Sequence, residues 1–190
     1  MLAFLTRSGV SDAEVALPLP GDELVPDATD VIDRAVTLPA PPAAVWPWLV
    51  QLGKGRAGWY FPRRLERVLP RRGLRRIDRS LQQVAVGDDI ADWGPGDPVF
   101  RAVVVDEPRA LVWHSLRDRD NHHRWPADPS RPRVLALSWA LVLRPVSGGS
   151  RLHIRLRLRV KHPLLAKLGG VFDWLTVVLL FRGLRERVST

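Results

Sequence analysis

The stretch RLHIRLRLRV, residues 151–160, alternates apolar and cationic side chains without a break. Leu152, Ile154, Leu156, Leu158 and Val160 fall on one side; Arg151, His153, Arg155, Arg157 and Arg159 fall on the other. In an extended chain successive side chains point to opposite faces, so period two means a strand with one packed face. Strands of all-parallel sheets are covered on both faces and read as apolar throughout. This strand therefore belongs to an antiparallel sheet, and its arginine side reads as a solvated outer face.

Its predecessor, VLALSWALVLR at 134–144, is apolar nearly throughout, and VSGGS at 146–150 is a turn between the two. Shorter strands are expected at 31–38, 89–93, 98–106 and 110–117, the last two joined through Glu107-Pro108. PAPP at 39–42 precedes a helix over about 42–52, where Val45, Trp48, Leu49 and Leu52 share one face. Pro47 keeps that helix short or kinks it, and Gly53 stops it. A second short helix is expected over about 62–69, ended by Pro70 and Gly73. A long one is expected over 164–187, with Leu165, Leu168, Phe172, Leu175 and Leu179 along one face. Residues 118–133 are a polar, proline-rich loop. Residues 1–30 are an arm with little periodicity, leaving 31–190 as the domain. A run of about six strands with helices held apart from it is an α+β arrangement.

The composition narrows the function classes. Of 190 residues, 46% are hydrophobic and 26% charged, a globular balance that suits one domain. Cysteine is absent, which excludes a disulfide scaffold, a thiol nucleophile and cysteine-ligated zinc. The net charge of +9 would attract anionic surfaces, but lysine occurs only at Lys54, Lys161 and Lys167. The arginines therefore reflect coding bias as much as a partner. The arginine face of 151–159 carries no interleaved aromatic residues for base stacking, so no nucleic acid is assigned. The N-terminus has no cationic start before its apolar stretch and makes a poor signal peptide. The most apolar run, VFDWLTVVLLF at 171–181, contains Asp173 and falls short of the ~20 residues a bilayer needs. A soluble, cytoplasmic protein is expected.

Several segments together carry a resemblance. They are LPGDELVPDA at 19–28, APPAAVWPWLVQLGKGRAGWY at 40–60, VAVGDDI at 84–90, VDEPRALV at 105–112 and SWALVLRPVSGGSRLHIRLR at 138–157. Through them nearly the whole chain resembles a bacterial branch of the START-like, or SRPBCC, superfamily of polyketide cyclase/dehydrase and lipid-transport type. The resemblance implies a helix-grip fold, in which a curved antiparallel sheet of six to seven strands wraps a long C-terminal helix. It also implies a cavity between sheet and helix for a small hydrophobic or lipid-like ligand. In one place the chain departs from the pattern. Phe61-Pro62-Arg63-Arg64 stands where a serine or tyrosine and an aspartate would follow GWY, which adapts the mouth of a cavity to an anionic ligand.

Each candidate residue has a plainer reading beside the functional one. GKGRAG at 53–58 lacks GK[ST] and follows a helix, so it reads as a turn rather than a phosphate loop. Arg56 within it contacts an anionic head group or pairs with an acidic neighbour. Trp59 and Tyr60 are placed at the cavity mouth. Trp113 and Trp139 are placed on strands facing the cavity, and Phe172 and Leu175 on the long helix; for Trp113 the parity is ambiguous. His114 is either a polar group of the pocket or a structural histidine. Asp173 lies on the wet side of its helix or is buried with a raised pKa. His122-His123 with Asp118 and Asp120 match no metal-site spacing. No catalytic residue, metal or cofactor is assigned. A cyclase- or dehydratase-type enzyme is the rival reading. A third reading is an interaction module, making weak contact with an anionic membrane or pairing two copies, so that both monomer and homodimer stay open.

Overall fold

The structure, a computed structural model, describes residues 6–70, 72–128, 130, 134–160 and 163–189, with 163–170 and 172 as backbone only. Among the described residues seven strands form a single sheet: β1 (Arg7–Ser8), β2 (Asp30–Leu38), β3 (Asp89–Ala91), β4 (Val99–Asp106), β5 (Ala110–Asp118), β6 (Val134–Val146) and β7 (Gly149–Arg159). Their spatial order is β1-β2-β7-β6-β5-β4-β3. Only the β1–β2 pair is parallel. The helices are α1 (Asp12–Ala16), α2 (Pro42–Gln51), α3 (Arg63–Glu66) and α4 (Pro163–Val188). This is the expected α+β helix-grip arrangement, with α2 and α4 packed against one face of the sheet.

That inner face is built by parity. Leu152 and Ile154 of β7, Leu141 and Leu143 of β6, and Leu111 and Trp113 of β5 are all buried in one core with Val45, Trp48 and Leu49 of α2. From α4 come Val177, Leu180, Phe181 and Leu184. In β4 the register to β5 shifts between Ala102 and Val104. The bulge switches which side chains point inward, from Phe100 and Ala102 before it to Val105 after it. α4 can cross close to the chain at Tyr60 because position 183 is glycine. A Cβ there would lie 2.5 Å from the Tyr60 carbonyl oxygen.

The outer face is not solvated, which corrects the expectation for the arginine stripe. Residues 12–29 lie over it. Val25 packs with Leu116, Val134 and Ala136, and Leu19 packs with Ala110 and Val142. The arginines of β7 hold this arm through its carbonyls and carboxylates. Arg155 donates to Val15 O at 2.7 Å, Leu17 O at 2.8 Å and Asp22 Oδ2 at 2.8 Å. Arg157 donates to Val25 O at 3.0 Å, and Arg159 pairs with Asp27 at 3.2 Å. Arg151 reaches Glu14 at 2.7 Å and also the carbonyl of Gly9. Beneath them Asp33 of β2, 2% exposed, accepts from Arg155 Nε at 2.8 Å and meets His153 Nε2 at 2.7 Å. A guanidinium can satisfy several carbonyls at once, so alternating arginines suit the covering of a sheet with irregular backbone. The arm also starts with a short helix that the periodicity did not show. Its signal is Ser11-Asp12-Ala13-Glu14, where the Ser11 and Glu14 side chains cap each other's backbone N–H.

Candidate functional site

Where β6 and β7 run past the buried core, the inner face stays only half covered. Trp139 of β6 sits beside Leu156 of β7, and Leu137 beside Leu158; all four are half-buried. Above this floor is a group of rings. Trp59 stacks on Trp139 with centroids 6.0 Å apart and planes 17° apart. Trp93 meets the Trp59 ring edge-on at 5.8 Å, and Phe100 lies 6.1 Å from Trp139. Trp93 is 45% exposed, and Trp59 and Phe100 are half-buried. The Trp59 indole is fixed to the helix by its Nε1–H, which donates to Thr176 O of α4 at 3.0 Å. That bond satisfies the polar edge of a half-buried indole and fixes the orientation of its ring against Trp139.

Two ion pairs border this aromatic group. Arg117 of β5 lies over the Phe100 ring at 5.1 Å, pairs with Asp92 at 2.7 Å and donates to Ser115 Oγ at 2.9 Å. On α4, Asp173 accepts from Arg34 Nε of β2 at 2.7 Å. Asp173 thus faces the sheet rather than the wet side. Burial pushes its carboxyl above the usual range, while the Arg34 charge and hydrogen bond pull the other way. Arg34 went unnoticed in the sequence, although it shares strand parity with the inward Ile32 and Leu38.

The sequence-predicted residues divide. Trp59 and Trp139 come together as the centre of the group. Trp113 takes the inner face opposite Trp139, which resolves its parity, but at 1% exposure it is core. Tyr60 is core too, not mouth. Its hydroxyl donates to Trp48 O at 2.9 Å, its ring meets Trp48 edge-on, and Arg187 covers it at 4.4 Å; burial pushes its phenol well up. Arg56 turns inward, donating to Leu81 O at 2.6 Å and Val50 O at 3.3 Å. The loop around it closes on itself, with Gly53 and Gly58 bonding each other's carbonyls at 3.2 and 3.0 Å. Those N–H groups are spent on the turn, so they cannot cradle a phosphate.

His114 is on the outer face, across the sheet from the ring group. It packs edge-on against Trp125 at 5.5 Å, beside Arg101. Burial, then the Arg101 and Arg159 charges, push its pKa down. Leu175 is 50% exposed, because α4 turns Asp173, Val177, Leu180 and Leu184 toward the sheet. Leu175 shares the opposite side with Val171 and Arg182. The Phe172 side chain lies outside the described residues. Among the described residues no three His, Asp or Glu side chains gather to hold a metal ion, and no helix is long and apolar enough to cross a membrane.

Comparison with solved structures agrees with this architecture. A structural-genomics protein from Mesorhizobium loti superposes with a TM-score of 0.50 at 18% identity, over 84% of this chain and 97% of that one. Proteins from Arthrobacter aurescens (TM-score 0.48, 14% identity, 84% and 86% covered) and Mycobacterium smegmatis (0.48, 14%, 82% and 88%) are more distant. At 18% identity the Mesorhizobium likeness speaks to the fold alone. No protein-family model matches the chain, and no curated protein does.

Proposed function

We propose that this chain, as a START-like protein of SRPBCC type, binds a small hydrophobic or lipid-like ligand between the inner face of the sheet and α4. The supporting observation is the half-covered group Trp59, Trp93, Phe100 and Trp139, set on leucines beside an otherwise closed core. A ligand covering about 150 Å² of that ring surface would gain about 4 kcal/mol at 25 cal/mol per Å², before the cost of association. Flat indoles favour planar or extended apolar molecules. The Arg34–Asp173 and Arg117–Asp92 pairs give a polar end of such a ligand something to align with. The reading keeps the protein in the cytoplasm.

The test is to incubate the purified chain with a mixed lipid extract, then combine native mass spectrometry with a titration of tryptophan emission. Bound mass and a shifted emission are expected, with Trp139→Ala weakening binding at least tenfold. A chain that emerges empty and whose emission does not move refutes the reading. A second reading, a cyclase- or dehydratase-type enzyme, draws on Asp173, a carboxyl with a raised pKa on the ligand side of α4. It expects Asp173→Asn to lose turnover of a ketone substrate while the chain stays folded; unchanged turnover removes it.

A further inference from the structure

Beside α3 the chain forms a pocket of about 300 Å³ lined by Arg63, Glu66, Arg67, Arg72, Gly73 and Arg75. Four of its six lining residues are arginines. Glu66, the one carboxylate among them, is already engaged. Its Oε1 accepts from Arg187 Nη2 at 2.6 Å, and its Oε2 lies 2.8 Å from Arg75. Arg75 is also 3.7 Å from Glu186. The Arg63 and Arg67 side chains make no ion pair or hydrogen bond among the described residues, and the Arg72 side chain has only a 3.5 Å contact to Arg67 O. The lining thus carries four positive charges against one negative, and all four arginines are exposed.

Like charges held around one concavity repel, and the repulsion is relieved by an anion that several of them can share. Guanidinium suits this role because its planar fork meets phosphate oxygens two at a time. Glu66 takes up the charge of Arg75 but leaves Arg63, Arg67 and Arg72 without a carboxylate among the described residues, and its pairing with buried Arg187 ties the floor of the pocket to α4. We infer that this pocket is a binding site for a multiply charged phosphate group, separate from the ring group under α4. The same chemistry has two sources: a free phosphate or phosphate ester, and the head group of an anionic phospholipid.

Calorimetric titration with inorganic phosphate and pyrophosphate, and flotation with phosphatidylcholine vesicles with and without phosphatidic acid, separate the sources. Pyrophosphate should bind more tightly than phosphate, and binding should weaken as salt rises. Binding of the free anions supports a soluble ligand. Flotation with phosphatidic acid that pyrophosphate reverses supports a head group. The double variant Arg67→Gln/Arg72→Gln removes two charges that hold no carboxylate in the fold, so it should stay folded and weaken binding at least tenfold. Arg64→Gln, an exposed arginine outside the lining, should change binding less than twofold. No binding of either anion or of the vesicles overturns the inference. So does an Arg64→Gln effect equal to that of the double variant, which would mean that net charge alone is read.

Discussion

Replacing Arg155 by alanine should loosen the arm and destabilise the whole chain. The Arg155 guanidinium makes four contacts shorter than 3 Å, to Asp33, Asp22, Leu17 O and Val15 O. Its side chain is 5% exposed and that of Asp33 is 2% exposed. Removing one member of a buried pair leaves the other charge unbalanced and typically costs about 3–5 kcal/mol. At about 2–4 °C per kcal/mol for a chain of this size, the melting temperature should fall by about 6–20 °C. Arg159→Ala is the control. That pair is solvent-exposed, with side chains 32% and 60% exposed, so its loss should cost less than about 1 kcal/mol. Urea denaturation followed by tryptophan emission gives both numbers, and limited proteolysis reports whether residues 6–29 become cleavable. Equal losses for the two variants, or an arm still protected in Arg155→Ala, would refute the claim that the arm is anchored through a buried ionic centre.

Gly183→Ala should destabilise by about 1–3 kcal/mol in urea, even though alanine is the better helix former by about 1 kcal/mol. The added methyl meets Tyr60 backbone atoms 2.5 and 2.7 Å away, which cannot rotate aside. The hydrogen bond from Arg151, aided by Ser11, holds the Glu14 carboxyl at about 2 despite burial, against an ordinary 4.5. A lowered acid stabilises fully above its unfolded value, so the arm should be most protected from protease above about pH 4.5. That protection should fall progressively as pH drops toward 2. The His114 imidazole should titrate below 6.5 by NMR, since burial and two arginines disfavour its cation. The resulting loss of stability should appear as pH falls below 6.5.

Much of the fold was legible because parity and period are local. The alternation at 151–160 placed β7, and the strands and helices either side of it were found within a few residues. α3 ends at Glu66 rather than near residue 69. Phase was harder than period. The long helix is apolar on several sides, so choosing the side with Leu175 missed the one with Asp173 and Val177, which depends on where the sheet lies. The bulge in β4 likewise reverses the facing of a strand without altering its composition. Of the candidate site, the facing of Trp139 followed from strand parity, whereas its stacking with Trp59 depends on a loop that no periodicity places. Tyr60 could not be told from a mouth residue, because its burial comes from Trp48 and Arg187, distant in sequence. The covering of the arginine stripe was hidden for a related reason. An arm of low periodicity gives no sign of the surface it lies on, although its acids Glu14, Asp22 and Asp27 meet Arg151, Arg155 and Arg159 in chain order.

The arm also sets the order in which this chain can finish folding. Asp22 and Arg155 are 133 residues apart, and the other anchoring pairs are similarly separated. On the ribosome the arm emerges early and the strand that receives it emerges late. Until then Val25 and Leu19 have no surface to cover, and the outer side of the growing sheet stays open to other chains. Contacts this distant are slow to form and sensitive to loop-closure entropy. A chain that loses residues 6–29 should therefore show its defect first as aggregation during synthesis, before any change in the emission of the ring group under α4.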